Sequence, residues 1–221
     1  MAVHNGAAWI EAAIDSLVGQ SLPPGEIIVV DDGSSDDSGA RAVAAGGGLV
    51  QLIVQPNRGY HAARNAGRAA ARGKLIHFFD ADDILPDGSL DTMHRCLDAN
   101  PGWDVLFGRW RNIWIEALAH EAAASANAYL VGEQSGLMIT AGLYRRTLLE
   151  RMAPFPENAG WHGSALWLAQ IARDGATIGR IDRAVLDRRI HHDNMSRKKS
   201  VDELFDLAFK LHRSSRAAAK R

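Results

Sequence analysis

Two clusters of carboxylates in this sequence have the residue types and spacing to bind a cation. Asp31 and Asp32 form the first cluster, and Asp80, Asp82 and Asp83 form the second. Carboxylates this close in sequence repel one another unless a cation or backbone N–H groups compensate their charge. Hard divalent cations prefer such oxygen ligands, and a bound cation could bridge the phosphates of a nucleotide. The plainer interpretation of either cluster alone is a solvated turn.

Alternating helix and strand patterns in the first 100 residues position both clusters. Amphipathic spacing predicts helices, and short β-branched or apolar runs predict buried strands. The predicted order is helix 7–17, strand 26–30, helix 37–45, strand 49–55, helix 62–72 and strand 75–79. Strands separated by helices imply right-handed βαβ units and a parallel sheet, whose ligands bind beyond the carboxyl ends of the strands. Both clusters follow strands, so we expect them at that edge.

The pattern is less regular from residue 104 onward. The expected elements are strand 105–115, an alanine-rich surface segment 116–129, strand or loop and then helix in 137–149, helix 164–173 and strand 184–190. An amphipathic helix is expected at 201–211, because its apolar residues lie on one face.

The composition excludes several classes of protein. The chain has 221 residues, of which 47% are hydrophobic and 23% charged, as in an ordinary globular domain. A single cysteine, Cys96, rules out an intramolecular disulfide and makes a zinc–thiolate site implausible. No apolar run is long enough to span a membrane, and polar residues directly after Met1–Val3 argue against a signal peptide. We therefore expect a cytoplasmic protein.

Charge is unevenly distributed along the chain. The net charge is −1, but residues 195–221 carry +5 and the remainder −6. An acidic body argues against nucleic-acid binding, which requires a basic folded face. The basic tail has two interpretations: a solvated helix packed on the body, or a contact with anionic lipid at the inner face of the membrane.

Four motifs in the first 90 residues, in order, resemble those of the family 2 glycosyltransferases with the GT-A fold. They are His4-Asn5-Gly6, Ile28–Asp36, Asn57–Gly59 with Ala63–Gly67, and Phe79–Asp83. A fifth match is Arg189–Ser196. The resemblance implies an α/β fold with a mostly parallel central sheet flanked by helices and a C-terminal amphipathic helix. It also implies a GT-A domain over 1–196, with a nucleotide-sugar-binding half (1–100), an acceptor half (101–196) and a basic tail (197–221).

The resemblance also implies a donor site. Asp32 would accept a hydrogen bond from the imide N–H of a uracil-like base, although a carboxylate that only shapes a turn is the alternative. Arg64 would contact the base or the diphosphate, although it could be an ordinary exposed helix arginine. The residues implied to bind the donor are Val3, Asn5, Asp32, Arg64, Asp80 and Ala81.

By the same resemblance, a divalent cation, Mn²⁺ or Mg²⁺, would bind beside the donor. Asp82 would be a direct ligand, and Asp80 would lie near the ribose and the metal. His191 would be a further metal ligand or a diphosphate contact, with His192 as its neighbouring rival. A lone histidine is more often structural, which is the alternative for His191.

Two departures from the family pattern matter. The family has an apolar strand of four or five residues before the His4 position, whereas only Met1–Val3 stand here; either the start lies upstream or the strand is short. The family also places an acidic general base in the stretch that corresponds to Gly160–Trp167, which has no acid. His162 is its only titratable side chain and becomes the candidate base. Glu133, Glu157, an acceptor that needs little activation, or absence of catalysis are the alternatives.

The function implied is hexosyltransferase-like. A sugar would pass from a nucleoside-diphosphate donor, with a UDP-sugar favoured, to an unknown acceptor with inversion at the anomeric carbon. The acceptor could be a lipid-linked glycan, a peptide or a small metabolite. A fold that binds nucleotide or partner without turnover is the second hypothesis. A nucleotidyltransferase ranks last, because the sequence has no glycine-rich phosphate loop with a lysine.

Overall fold

The computed structural model describes residues 1–123 and 131–194. The helices are α1 (Ile10–Val18), α2 (Ser38–Gly46), α3 (Tyr60–Ala70), α4 (Ser89–Ala99), α5 (Ala119–Ala122), α6 (Arg146–Arg151) and α7 (Gly163–Arg173). The strands are β1 (Ala2–Val3), β2 (Ile27–Asp31), β3 (Val50–Val54), β4 (Leu75–His77), β5 (Val105–Trp114), β6 (Glu133–Gln134), β7 (Gly142–Arg145) and β8 (Ile178–Ile190).

The first half of the chain forms the expected parallel βαβ arrangement. Strands β1, β2 and β3 are adjacent in that order, and all pairs are parallel. All five residues of β2 are buried, as the continuous apolar run predicts. On α1, the residues that face the core recur at helical spacing; they are Ile10, Ala13, Ile14 and Leu17. Both acidic clusters follow the carboxyl ends of strands, as expected.

A second, mixed sheet completes the α/β fold. Its order is β4-β7-β5-β6, with β8 along the other part of β5. β7 runs antiparallel to both β4 and β5, whereas β5 and β8 are parallel. A parallel bridge between Ala2 and Asp80 joins the two sheets. The prediction of a parallel sheet therefore holds for β1–β3 and for Asp80, just beyond β4, which meets Ala2 in the parallel sense. The antiparallel pairing of β4 with β7 was not predicted.

Both halves of the chain share one core. A single apolar cluster contains Val3 and Ile14 from the first half and Leu106 and Leu186 from the second. A second cluster of large aromatic side chains packs beneath α7. A cavity of about 650 Å³ lies at the amino ends of β2 and β4, and no carboxylate of either acidic cluster lines it. The ligand edge of the sheet is the opposite one.

The predicted amphipathic helix 201–211 and the basic tail 197–221 lie outside the described residues, so lipid contact by that tail stays a prediction. Within residues 1–123 and 131–194, no helix combines the length and the apolar composition that crossing a bilayer requires.

Candidate active site

The acidic turn, defined as residues 80–83, follows β4 at the edge where β1 also ends. Oxygen atoms of Asp80, Asp82 and Asp83 all lie within 4.8 Å of one another. Burial, with repulsion from Asp82 and then Asp80, raises the pKa of Asp83 well above its usual range. A divalent cation would relieve that repulsion, and the donors are the oxygens that such cations prefer. The residues present therefore fit a divalent cation.

The end of β8 brings His191 and Asn194 to the acidic turn. His191 Nε2 lies 3.0 Å from Asp82 Oδ2, and the Asn194 amide donates to the same oxygen at 3.0 Å. The backbone N–H of Asp193 donates to His191 Nδ1 at 3.2 Å, which leaves Nε2 as the nitrogen that carries a proton. Burial opposes ionisation of Asp82, yet the hydrogen bond and charge of His191 lower the pKa of its carboxyl.

The structure thus places the two predicted metal residues, Asp82 and His191, side by side although 109 positions separate them. His191 is buried, whereas its rival His192 is exposed. Asn194 was part of the matching motif, but its contact with Asp82 could not be read from its spacing.

Trp9 and Arg189 anchor this end of β8, and neither was a sequence candidate. The His191 ring stacks on Trp9 with centroids 4.7 Å apart, and the Arg189 guanidinium lies 5.1 Å from the same indole. Arg189 also donates to the backbone carbonyls of Trp9 and Asp82. These contacts hold β8 against the acidic turn. The sequence signal that could have identified Arg189 is its position two residues before the predicted ligand His191.

Asp32 is buried beside the loop that precedes α3. Its Oδ1 accepts hydrogen bonds from Gln55 Nε2 at 2.7 Å and from the Arg58 N–H at 2.9 Å, and its Oδ2 accepts from the Gly59 N–H at 2.8 Å. Gly59 has φ +90°, a conformation that favours glycine. Asp32 therefore shapes this loop, and a nucleotide base would share a carboxylate that already has three donors.

The three other predicted donor residues lie in or near β1 and in the acidic turn, and their contacts are structural. The Val3 carbonyl accepts from the Asp32 N–H at 2.9 Å, so it holds the two strand ends together. Asn5 has φ +53°, and its side-chain oxygen accepts from the Ser35 N–H at 2.8 Å. Ala81 is buried in the core. Donor binding by these three residues stays a prediction.

Arg64 on α3 connects the acidic turn to the start of α7. Its side chain is 9% exposed, and its two terminal nitrogens lie 2.6 Å from Asp80 Oδ1 and 3.1 Å from Ser164 Oγ. The guanidinium also lies 5.1 Å from the ring centre of Tyr60. Arg64 is therefore an internal bridge and not an ordinary exposed helix arginine.

The candidate bases lie in two different parts of the fold: His162 and Glu157 precede α7, whereas Glu133 lies on β6. His162 is half-buried and directly precedes this helix. Glu157 binds Arg58 at 2.9 Å and Asn65 at 3.1 Å, so each of its oxygens has a partner. Glu133 lies on exposed β6.

His61 on α3 was missed by sequence reasoning. It is 2% exposed, and its Nε2 lies 3.2 Å from Ser164 Oγ. Burial, and then the charge of Arg64, lowers the pKa of His61 to about 4. Its neighbour in space is 103 positions away in the sequence, and no local pattern predicts that contact.

Comparisons with known proteins agree with this arrangement. A family model described as "Glycosyl transferase family 2" matches residues 1–150. The "uncharacterized glycosyltransferase alr2836" of a Nostoc species is 30% identical over 169 residues, which are 68% of this chain and 51% of that protein. The chain thus spans about half of the length of that curated relative.

Two solved structures share the fold at low sequence identity. TarS 1–349 from S. aureus, in complex with UDP-GlcNAc, matches with a TM-score of 0.73 and 20% identity, over 95% of this chain and 63% of that one. The mannosyltransferase PcManGT from Pyrobaculum calidifontis, in complex with GDP-Man and Mn²⁺, matches with a TM-score of 0.66 and 21% identity, over 87% and 56%.

Proposed function

Since the chain belongs to glycosyl transferase family 2, we propose that it transfers a sugar from a nucleoside-diphosphate donor to an acceptor hydroxyl. One observation carries the proposal: the acidic turn, His191 and Arg64 meet at the carboxyl edge of the parallel strands, where ligands of such sheets bind. Asp32 directly follows the neighbouring strand β2 at the same edge.

A UDP-sugar is the donor we propose. Asp32 offers only acceptor atoms, which suits the imide N–H of uracil. Arg64 is a cation within hydrogen-bond distance of Asp80 and suits the diphosphate. Val3, Asn5 and Ala81 would line the nucleotide pocket. The UDP-GlcNAc complex of TarS supports a uridine donor, whereas the GDP-Man complex of PcManGT makes GDP the comparison to test.

We further propose that a divalent cation, Mn²⁺ or Mg²⁺, is held by Asp82 with His191 and Asp80. When bound, such a cation stabilises the charge of a departing diphosphate. The Mn²⁺ in the PcManGT complex supports this choice. His191 would have to release the proton on Nε2 to bind a metal through that nitrogen.

The chain's own residues would orient an inverting displacement. The acceptor oxygen forms a bond to the anomeric carbon while the bond to the diphosphate breaks, and the electron pair leaves with the diphosphate. Arg64 would hold the donor against the acidic turn, and the start of α7 would face the acceptor. The base would come from this start, where His162 is the candidate from the sequence. A lipid-linked glycan, a peptide or a small metabolite would be the acceptor.

A protein that binds the donor without turnover is the second candidate. The acid-free stretch Gly160–Trp167 favours it, because the family's usual base is missing there.

Calorimetric titration with UDP and with GDP, each with and without Mn²⁺, tests the donor site. We expect UDP to bind at least tenfold more tightly with Mn²⁺, because the cation would neutralise repulsion between phosphate and carboxylates. Asp82→Asn should abolish that gain, while Asp87→Asn, at an exposed carboxylate near the acidic turn, should retain it. Asp32→Ala should weaken UDP binding both with and without Mn²⁺, because Asp32 would bind the base. Absence of UDP binding under every condition would reject the proposal, and preferential GDP binding would reject the uridine donor.

A further inference from the structure

Where the start of α7 meets α3, Ser164 of α7 and His61 of α3 form a serine–histidine pair. Ser164 Oγ lies 3.2 Å from His61 Nε2 and 3.1 Å from the Arg64 guanidinium. Arg64 has only donors, so the serine oxygen accepts from it and keeps its own proton for another partner. Because Arg64 also reaches Asp80, a single guanidinium separates Ser164 from the acidic turn.

The protein is shaped to hold the His61 ring against α7. The ring stacks on Phe155 with centroids 5.8 Å apart and an interplanar angle of 12°. At Gly163, an added Cβ would lie 2.3 Å from His61 Cε1, so only glycine leaves room for the imidazole. A histidine and a glycine thus fit each other across two helices, and Ser164 follows directly.

Burial and the charge of Arg64 keep the His61 ring unprotonated at neutral pH, so that it can accept a proton. Burial is the main cause that lowers its pKa to about 4, the Arg64 charge adds to it, and Glu157 acts in the opposite direction. Tyr60 completes the surroundings, since its ring lies 3.9 Å from the imidazole and its hydroxyl hydrogen-bonds to Ser164. A base with a pKa about 4 has the strength of an aspartate, whose ordinary pKa is about 3.9.

We propose that Ser164, backed by His61, accepts the proton of the acceptor hydroxyl during sugar transfer. The inference rests on the proposed function and names the base of the same reaction. Ser164 is half-buried and reachable by an acceptor, whereas His61 is buried behind it. Ser164 lies in the acid-free stretch Gly160–Trp167, and His61 reaches it from α3.

Every proton and electron pair in the proposed step is accounted for. As the acceptor oxygen bonds to the anomeric carbon, its proton moves to Ser164 Oγ and the serine proton moves to His61 Nε2. The electron pair of the broken bond leaves with the diphosphate. Burial disfavours the charged imidazolium. It therefore returns its proton through the serine to water or to the departing product.

The two carboxylates considered as alternative bases, Glu157 and Glu133, bind other side chains. Both oxygens of Glu157 bind Arg58 and Asn65, a link between α3 and the segment before α7. Glu133, on β6, forms an ion pair with Arg109 of β5. Within the acid-free stretch, Ser164 contacts Arg64 directly.

Release of UDP from UDP-GlcNAc, UDP-glucose and UDP-galactose with Mn²⁺, with water as the acceptor, tests the pair. We expect His61→Ala and Ser164→Ala each to lower kcat by about 100-fold, with the donor KM within about twofold of wild type. The double variant should be no slower than either single variant, because the two groups act as one unit. Added imidazole should restore part of the rate of His61→Ala.

His77→Ala is the matched control. His77 is also a buried histidine whose pKa burial lowers to about 4, but it hydrogen-bonds to the Thr140 carbonyl. We expect this variant to lose stability and keep kcat within about twofold of wild type.

The outcomes separate the two proposals. If the wild type releases no UDP from any of the three donors, the proposed function and the inference both fail. If the wild type is active and both single variants retain its kcat, only the inference fails. A loss of kcat in His162→Ala with none in His61→Ala would assign the base to His162 instead. A loss without imidazole rescue and with a raised donor KM would reduce His61 to a structural role.

Discussion

At the scale of single residues, two buried histidines have similarly lowered pKa values but different hydrogen-bond partners. Burial lowers the pKa of both His61 and His77 to about 4. His61 lies against Ser164 at the site, whereas His77 Nε2 lies 2.7 Å from the Thr140 carbonyl. The Nδ1 atom of His77 is buried and has no hydrogen-bond partner among the described residues. Protonation of either ring would therefore charge a group that the fold keeps neutral.

We predict that acidification destabilises the protein partly through these rings. The unfolded chain takes up their protons near pH 6.5, but the folded chain does so only near pH 4. The free energy of unfolding should fall as the pH drops from 6.5 to 4, by up to about 3 kcal/mol for each histidine. This stability is fully present above pH 6.5. Denaturant unfolding at several pH values measures it.

His77→Ala should make that pH slope shallower, by at most about 1.4 kcal/mol per pH unit. His120→Ala, at an exposed histidine, is the control and should leave the slope unchanged. An identical slope in wild type and His77→Ala would contradict the prediction.

At the scale of elements, the site depends on how α7 meets α3. Tyr60, His61 and Arg64 all lie on α3, and Ser164 lies in the first turn of α7. The close approach of the helices rests on Gly163, beside which the His61 ring lies. Alanine content predicted a helix over 62–72 and amphipathic spacing predicted one over 164–173, so α3 begins two residues earlier than expected and includes His61. Neither pattern contains information about which turn of one helix touches the other.

Gly163→Ala should displace the His61 ring and destabilise the fold. Alanine in a helix is favoured over glycine by about 1 kcal/mol, so a net loss would show that the clash outweighs helix propensity. We expect thermal unfolding to reveal a lower midpoint. The double variant Gly163→Ala/His61→Ala should recover most of it, since the small side chain removes the clash.

Gly48→Ala serves as the control for that prediction, because an added Cβ there meets no atom within 4 Å. A midpoint for Gly163→Ala equal to or above that of wild type would show that the ring moves without cost.

At the scale of the whole molecule, the two halves cannot fold separately without losing the core. One apolar cluster joins β1 and α1 to β5 and β8. The two sheets meet at the bridge between Ala2 and Asp80, directly before the acidic turn. Packing between the halves therefore positions the acidic turn beside Asp32 as well as beside β8.

We predict that Leu106→Ala, in the second half, weakens the first half as well. Leu106 is fully buried in the shared cluster, and its truncation should cost about 2–5 kcal/mol. Native-state hydrogen exchange should show equal losses of protection in β2 and β5. Val54→Ala, at a side chain that is 68% exposed, should change protection by less than about 0.5 kcal/mol. Unchanged protection of β2 in Leu106→Ala would mean that the halves unfold independently.

The sequence by itself determined the order of elements up to Asp80 and the chemistry at the strand ends, but it did not predict α4. Hydrophobic periodicity is local, so the alternation up to Asp80 and the burial of β2 followed from it. The motifs also named Asp82 and His191 as candidate partners, and the structure brings them within 3.0 Å. The sequence predicted β4 as a third parallel strand, and Asp80 just beyond it does meet Ala2 in the parallel sense. Its antiparallel partner β7 could not be predicted locally, because β7 comes from the second half of the chain.

Only the tertiary structure decided which groups meet at the site. Asp32 binds the loop before α3, Arg64 is an internal bridge, and His61 contacts Ser164 across 103 positions. Such contacts depend on helix crossings and strand register. These are set by packing over the whole core, which no short stretch of sequence contains.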